Sequence, residues 1–176
     1  RLRSRGLGDV YKRQAMTRYN TEMGKRATVI DLGGYTADYI QIVDGKPLIE
    51  HSDSLENGVI HLYHRIMQEI NCIMDTRLKE SDIDLIIRGN PHYPEQLIKI
   101  VDQQVRQYLD DFIGQLRERQ IDLRVGQTVI IGGGGILLRK YIEQNPWIQH
   151  ITFIDDIRAN AHGYQLMYET LRRKGG

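Results

Sequence analysis

The chain has 176 residues, of which 40% are apolar and 27% charged, and its formal net charge is +1. These values describe one ordinary globular core and exclude a general binder of nucleic acid or of membrane surfaces. Cys72 is the only cysteine, so no internal disulfide can form and a cytoplasmic home fits best. No apolar run approaches the roughly 18 residues that read as a membrane-spanning helix.

Residues 1–14 carry Arg1, Arg3, Arg5, Lys12 and Arg13 against Asp9 alone, so the rest of the chain is mildly acidic. This stretch has no initiator methionine and no apolar periodicity, and it reads as a non-native or disordered basic tail. Behind it, the chain reads as the C-terminal part of a longer protein. Ala15–Glu22 is weakly helical, and Ala27–Leu32 is a nearly continuous apolar strand of the kind buried on both faces. Thr36–Val43 alternates, Asp44-Gly45 makes a tight turn and Lys46–Ser52 returns, which predicts a three-stranded meander. Asn57-Gly58 opens an amphipathic helix with Val59, Leu62, Ile66, Ile70, Ile73 and Met74 at helical spacing.

Ser81 to Asp84 looks like a capping box for a short helix that ends at Gly89. Pro91 and Pro94 precede a second long helix, about 94–119. Val125–Ile131 reads as a buried strand, Ile136–Asn145 as a helix, Ile151–Ile154 as a strand and Arg158–Arg173 as the closing helix. Strands first, then helices, then strand–helix pairs imply an α/β fold in which later strands add in parallel to the first sheet. The helices between about 57 and 120 form an insertion.

Two places carry chemistry. Thr28-Val-Ile-Asp31 runs into Gly33-Gly34-Tyr35-Thr36, and Thr128-Val-Ile-Ile131 runs into Gly132, Gly133, Gly134 and Gly135. An acid at the end of a core strand is costly unless something pairs with it, and hydrated Mg²⁺, which takes one or two carboxylates, is a natural partner. Glycines let the backbone approach a flat ring or a phosphate, and a helix start favours negative charge. Neither turn has the spacing of a dinucleotide fingerprint, and no Gly-Lys-Ser/Thr follows the glycines as a Walker A loop requires.

His61 and His64 lie one turn apart but have no third ligand nearby. Trp147 reads as a loop anchor, Asp155-Asp156 as a cap for the last helix, and Arg172–Lys174 as a solvated helix end.

Together and in their order, the two turns resemble those of the actin-like ATPase superfamily, which has a ribonuclease H-like fold. Asp31–Thr36 matches its second phosphate loop and Ile130–Gly135 its adenosine motif. Arg158-Ala-Asn-Ala-His-Gly163 is similar to the closing helix of bacterial actin homologues, and the combination is closest to the plasmid-segregating ParM/StbA-like actins. The resemblance covers Ala15 to about Arg173.

It implies that Asp31 holds the Mg²⁺–water cluster and helps align the attacking water. The amides of Gly33, Gly34, Tyr35 and Thr36 would contact the β- and γ-phosphates of ATP, and Gly132–Gly135 would pass along the adenosine. Tyr35 departs from the small residue usual in the superfamily, and can serve if only its N–H is used. Gln14, 17 residues before Asp31, stands where the superfamily carries a water-orienting glutamine.

The implied function is an ATP-hydrolysing filament protomer in plasmid or DNA segregation. Its partners would be copies of itself and a DNA-binding adaptor, with no direct contact to nucleic acid or membrane. The superfamily's other phosphate loop has no match in these residues, so ATP turnover by the 176 residues alone is expected to be weak. Two other readings within the superfamily are a sugar-kinase-like phosphotransferase, which needs a catalytic acid between the loops, and a chaperone ATPase, which needs a peptide-binding domain after the last helix.

Overall fold

A strand with no polar side chain except at Arg26, Thr28 and Asp31 belongs in the middle of a sheet, and β1 (Arg26–Leu32) lies there. The computed structural model describes residues 26–44 and 46–154. The sheet has the order β3-β2-β1-β4-β5, with β2 at Ala37–Val43, β3 at Lys46–Leu55, β4 at Gln127–Ile131 and β5 at Ile151–Phe153. Strands β1, β2 and β3 form the expected antiparallel meander. β4 adds to β1 in parallel and β5 adds to β4 in parallel. The architecture is the mixed α/β sheet that the element order predicts.

β2 is buried on both faces, which is why its alternation slips in the sequence. Ala37 and Tyr39 face the helical side, while Ile40 and Ile42 join Ala27, Val29, Val129 and Ile131 on the other. β3 runs three residues past the expected Ser52. Its register against β2 shifts between Ile40 and Gln41, which oppose Ser52 and Leu48 respectively, so extra residues are accommodated in the strand.

Three helices lie between β3 and β4 in sequence: α1 (Val59–Met74), α2 (Glu80–Ile87) and α3 (Glu95–Glu118). They share one continuous core with the sheet. Leu62, Ile66 and Ile70 of α1, Ile83 of α2, and Val101, Val105 and Leu116 of α3 are sealed from solvent beside Ile30 and Leu32. Full burial of such side chains contributes about 1.5–3 kcal/mol each. Ile73, expected on this face, is exposed at the end of α1, which stops at Met74 before a left-handed Asp75.

The cap of α2 also differs from the expectation. The helix starts at Glu80, so the Asp82 carboxylate accepts from the Lys79 N–H at 2.9 Å, and Ser81 lies inside the first turn. Its end is as predicted: Gly89 has φ +85°, and the Asn90 N–H reaches back to the Leu85 carbonyl at 2.9 Å.

β4 begins at Gln127 rather than Val125. Val125 is exposed in a turn where its N–H bonds the Asp122 carbonyl. After β4 the glycines themselves enter a helix. α4 is Gly133–Leu137 and α5 is Arg139–Gln144, where a single helix over 136–145 was expected. Ala15–Glu22, Asp155-Asp156, Arg158–Arg173 and Gln14 lie outside the described residues.

Candidate nucleotide site at the ends of two parallel strands

Because β1 and β4 are parallel neighbours, their C-terminal ends leave the sheet at one edge. Asp31 stands directly opposite Ile131 in the register. From there the chain after β1 proceeds to β2 on one side, and the chain after β4 proceeds toward β5 on the other. In α/β sheets such a divergence leaves a crevice at the carboxyl ends of the strands, where ligands bind.

The two glycine turns meet at this crevice. A Cβ placed on Gly132 would lie 2.5 Å from Oδ1 of Asp31 and 2.6 Å from the Leu32 carbonyl oxygen. The carboxylate thus rests against the bare backbone of the second turn, and any side chain at Gly132 would displace it. Gly132 has φ 89° and ψ 158°, a region open essentially to glycine alone.

The first turn is built from the backbone. The Gly33 N–H donates to the Thr36 carbonyl at 2.9 Å. Three carbonyls of the turn accept from the start of α1: Tyr35 from the Gly58 N–H at 3.1 Å, Gly33 from Val59 at 3.1 Å and Gly34 from Ile60 at 2.9 Å. Among the described residues, the amides of Gly34, Tyr35 and Thr36 make no hydrogen bond of this turn-and-cap kind. The tip is open to solvent, with Gly34 exposed and the Tyr35 side chain 78% exposed. What the site offers is therefore a carboxylate, a set of N–H groups and a side-chain-free floor.

The family model for the archaeal MreB-like actin homologues, C-terminal part, matches residues 29–144, which is more than half of the chain. The chain belongs to this family of actin homologues.

Solved structures agree on the fold. The archaeal actin homologue Ta0583 superposes with a TM-score of 0.67 at 22% identity, covering 93% of this chain and 55% of Ta0583. Its complex with ADP gives 0.64 at 21% identity, covering 93% and 56%. A ParM filament from Clostridium botulinum gives 0.63 at 18% identity, covering 90% and 51%. The chain thus spans about half the length of these structures. No curated protein matches it. The expected actin-like class holds, and the matching family is the archaeal MreB-like one, with ParM a structural neighbour.

Within this actin-homologue domain the expected site residues have unequal surroundings. Asp31, Gly33–Thr36, Gly132 and Gly133 are gathered at the crevice. The Gly33 amide is already used inside its turn, which leaves it no N–H for a ligand. Gly134 and Gly135 are buried: a Cβ on Gly134 would meet Val59 Cγ2 at 2.7 Å and the Leu32 carbonyl at 2.8 Å, and one on Gly135 would meet Ile130 Cγ2 at 2.4 Å. Those two glycines let α4 lie directly on β1, β4 and α1. Gly133 is the opposite, exposed and with nothing within 4 Å of its Cβ direction. With only five residues, α4 supplies too little helix for the anion-favouring dipole expected of it.

Gly58 read in the sequence as a helix opener only, yet it lies against the first turn. The close spacing of Asn57-Gly58 to an apolar helix was the one signal available.

His61 and His64 are exposed, and no group of three metal-ligating side chains occurs among the described residues. Trp147 is the anchor expected, its ring in contact with the guanidinium groups of Arg117 at 4.6 Å and Arg124 at 4.7 Å. No described helix is long and apolar enough to cross a membrane. A cavity of about 380 Å³ lies between His51–Asp53 of β3 and the end of α3 at Glu118–Gln120, and neither glycine turn lines it.

Proposed function

We propose that this domain is the nucleotide-binding C-terminal half of a filament-forming actin-like ATPase. The contact between Asp31 and the bare Gly132 backbone carries the reading, because it joins both turns in one crevice. The Gly34, Tyr35 and Thr36 amides would hold the β- and γ-phosphates of ATP, and Gly132 and Gly133 would run along the adenosine. Asp31 fits a hydrated Mg²⁺, being a partly exposed carboxylate set against the Gly132 backbone at the crevice. When bound, that ion would neutralise phosphate charge. Asp31 and Gln14 would orient the attacking water.

Filament formation is supported by the fold shared with a ParM filament, and ATP as ligand by the fold shared with an ADP-bound actin homologue. Self-association belongs to this reading, and a DNA-binding adaptor, plasmid or DNA segregation and a cytoplasmic setting are proposed with it on the resemblance of the sequence to ParM/StbA-like actins. No membrane and no direct DNA contact belong to this reading. The near-neutral charge agrees with indirect contact to DNA, since direct binding depends on clustered Lys and Arg.

The chain spans about half of its neighbours' length, so binding rather than turnover is the test. Titration of Mg·ATP into the isotopically labelled chain should shift the amide resonances of Gly34, Tyr35, Thr36, Gly132 and Gly133. An absence of shifts at millimolar nucleotide, or shifts confined to the cavity beside Arg119, would refute the proposal. Asp31→Asn keeps the shape against Gly132 and should abolish the magnesium-dependent part of the affinity, about tenfold for a lost charge-assisted contact.

A further inference from the structure

Gly58 precedes α1 with φ −72° and ψ 174°, an extended backbone that any residue adopts. Its missing side chain therefore answers a need for space. A Cβ there would lie 2.3 Å from the Gly34 carbonyl oxygen, 2.5 Å from the Gly34 carbonyl carbon and 2.4 Å from the Tyr35 carbonyl carbon. These are main-chain atoms and cannot swing aside. The approach lets the amides of Gly58, Val59 and Ile60 reach the carbonyls of Tyr35, Gly33 and Gly34.

Those three carbonyls belong to the peptide planes that also carry the N–H groups of Gly34, Tyr35 and Thr36. In a trans peptide the carbonyl and the N–H point in opposite directions, and the described residues contain no cis bond. Each carbonyl drawn onto α1 turns its N–H away from the helix. Accepting a hydrogen bond also polarises the peptide and strengthens that N–H as a donor. A turn of three glycine-adjacent peptides would otherwise sample many orientations.

We propose that Gly58, with the first turn of α1, is a positioning element that aims the Gly34, Tyr35 and Thr36 amides at a bound phosphate, and that Tyr108 of α3 holds it in place. The Tyr108 hydroxyl donates to the carbonyl of Asn57, the residue before Gly58. Tyr108 is buried, and burial raises its phenol above the ordinary value, so it stays a neutral donor. Through these contacts the phosphate turn, α1 and α3 are one connected unit. The inference rests on the nucleotide reading above and adds the residues that orient its donors.

The test compares the 176-residue chain with its Gly58→Ala and Tyr108→Phe variants, using Mg·ATP titration and amide hydrogen exchange. Gly58→Ala should weaken binding about tenfold or more, because the turn must lift from α1 and lose its aim. Tyr108→Phe keeps the ring and should weaken binding about threefold with helical circular dichroism unchanged. Nucleotide should slow exchange at the Val59 and Ile60 amides of the unmodified chain, which a purely structural role for Gly58 would not produce. Equal affinities in all three chains, or no nucleotide effect at Val59 and Ile60, overturn the positioning role and leave the nucleotide reading standing. No binding by the unmodified chain overturns both. If Gly58→Ala does not fold, Tyr108→Phe and the exchange of the unmodified chain decide.

Discussion

The two glycine turns lie side by side, but different forces hold them. The first, residues 33–36, is pinned by hydrogen bonds from its carbonyls to α1, and its tip is open to solvent. The second, residues 132–135, is coiled into the five-residue α4, where Gly134 and Gly135 are buried against Leu32, Val59 and Ile130. In the first, glycine leaves backbone donors uncovered. In the second, it lets a helix touch a strand, and Gly133 alone faces open space. One turn offers directional hydrogen bonds and the other a backbone without side chains, a division that the proposed nucleotide, with a charged tail and a planar base, would use.

Substitutions in the second turn should break the comparison most strongly. Gly132→Ala forces an L-residue into a glycine-only region, which costs about 1–3 kcal/mol. It also drives a methyl group to 2.5 Å from the Asp31 carboxylate. Together these should lower stability by about 3 kcal/mol or more. The effect is read as a fall in the urea midpoint with an unchanged slope. A midpoint equal to that of the unmodified chain would mean that the second turn relaxes freely and is not a rigid floor.

One residue later the expectation reverses. At Gly133 a side chain meets open space, so Gly133→Val should change stability by less than about 1 kcal/mol. The same change fills the floor of the crevice and should weaken Mg·ATP binding about tenfold or more, as loss of a well-packed contact does. Equal nucleotide affinity in Gly133→Val and the unmodified chain would remove the adenosine from this turn. Two adjacent glycines thus separate stability from binding.

Much of the fold was legible because the strongest signals are local. The apolar runs before Asp31 and Gly132 mark strands buried on both faces, and Asp44-Gly45 marks the hairpin. Leu62, Ile66 and Ile70 show their helical period without help from the rest of the chain. Of the proposed site, what the sequence offers is Asp31 and the two glycine turns as candidates, and the structure puts the Asp31 carboxylate against Gly132.

What escaped depends on tertiary neighbours. A glycine shows in the sequence only that a side chain is missing, not what occupies the space. Gly134 and Gly135 look like Gly133 on paper, yet Ile130, Leu32 and Val59 occupy their Cβ directions. Gly58 looks only like a helix opener, yet the Gly34 and Tyr35 backbone lies on it. The boundaries failed for a related reason. Val125 is as apolar as its neighbours in β4, but the Asp122 carbonyl captures its N–H before the strand begins.

The smallest effect expected belongs to the most conspicuous side chain at the site. Tyr35 is bulky where the superfamily usually has a small residue, and 78% of it is exposed. Its backbone is fixed through its carbonyl, which accepts from the Gly58 N–H, and its ring is not part of that bond. Tyr35→Ala should therefore alter stability by no more than about 0.5 kcal/mol, as for other surface changes. Mg·ATP affinity should move by less than about threefold, because the N–H proposed to serve the phosphate is still present. Calorimetric titration of the variant beside Gly133→Val makes the contrast direct. A loss as large as that in Gly133→Val would mean that the Tyr35 ring itself touches the nucleotide, and that the first turn, like the second, works by surface rather than by donors.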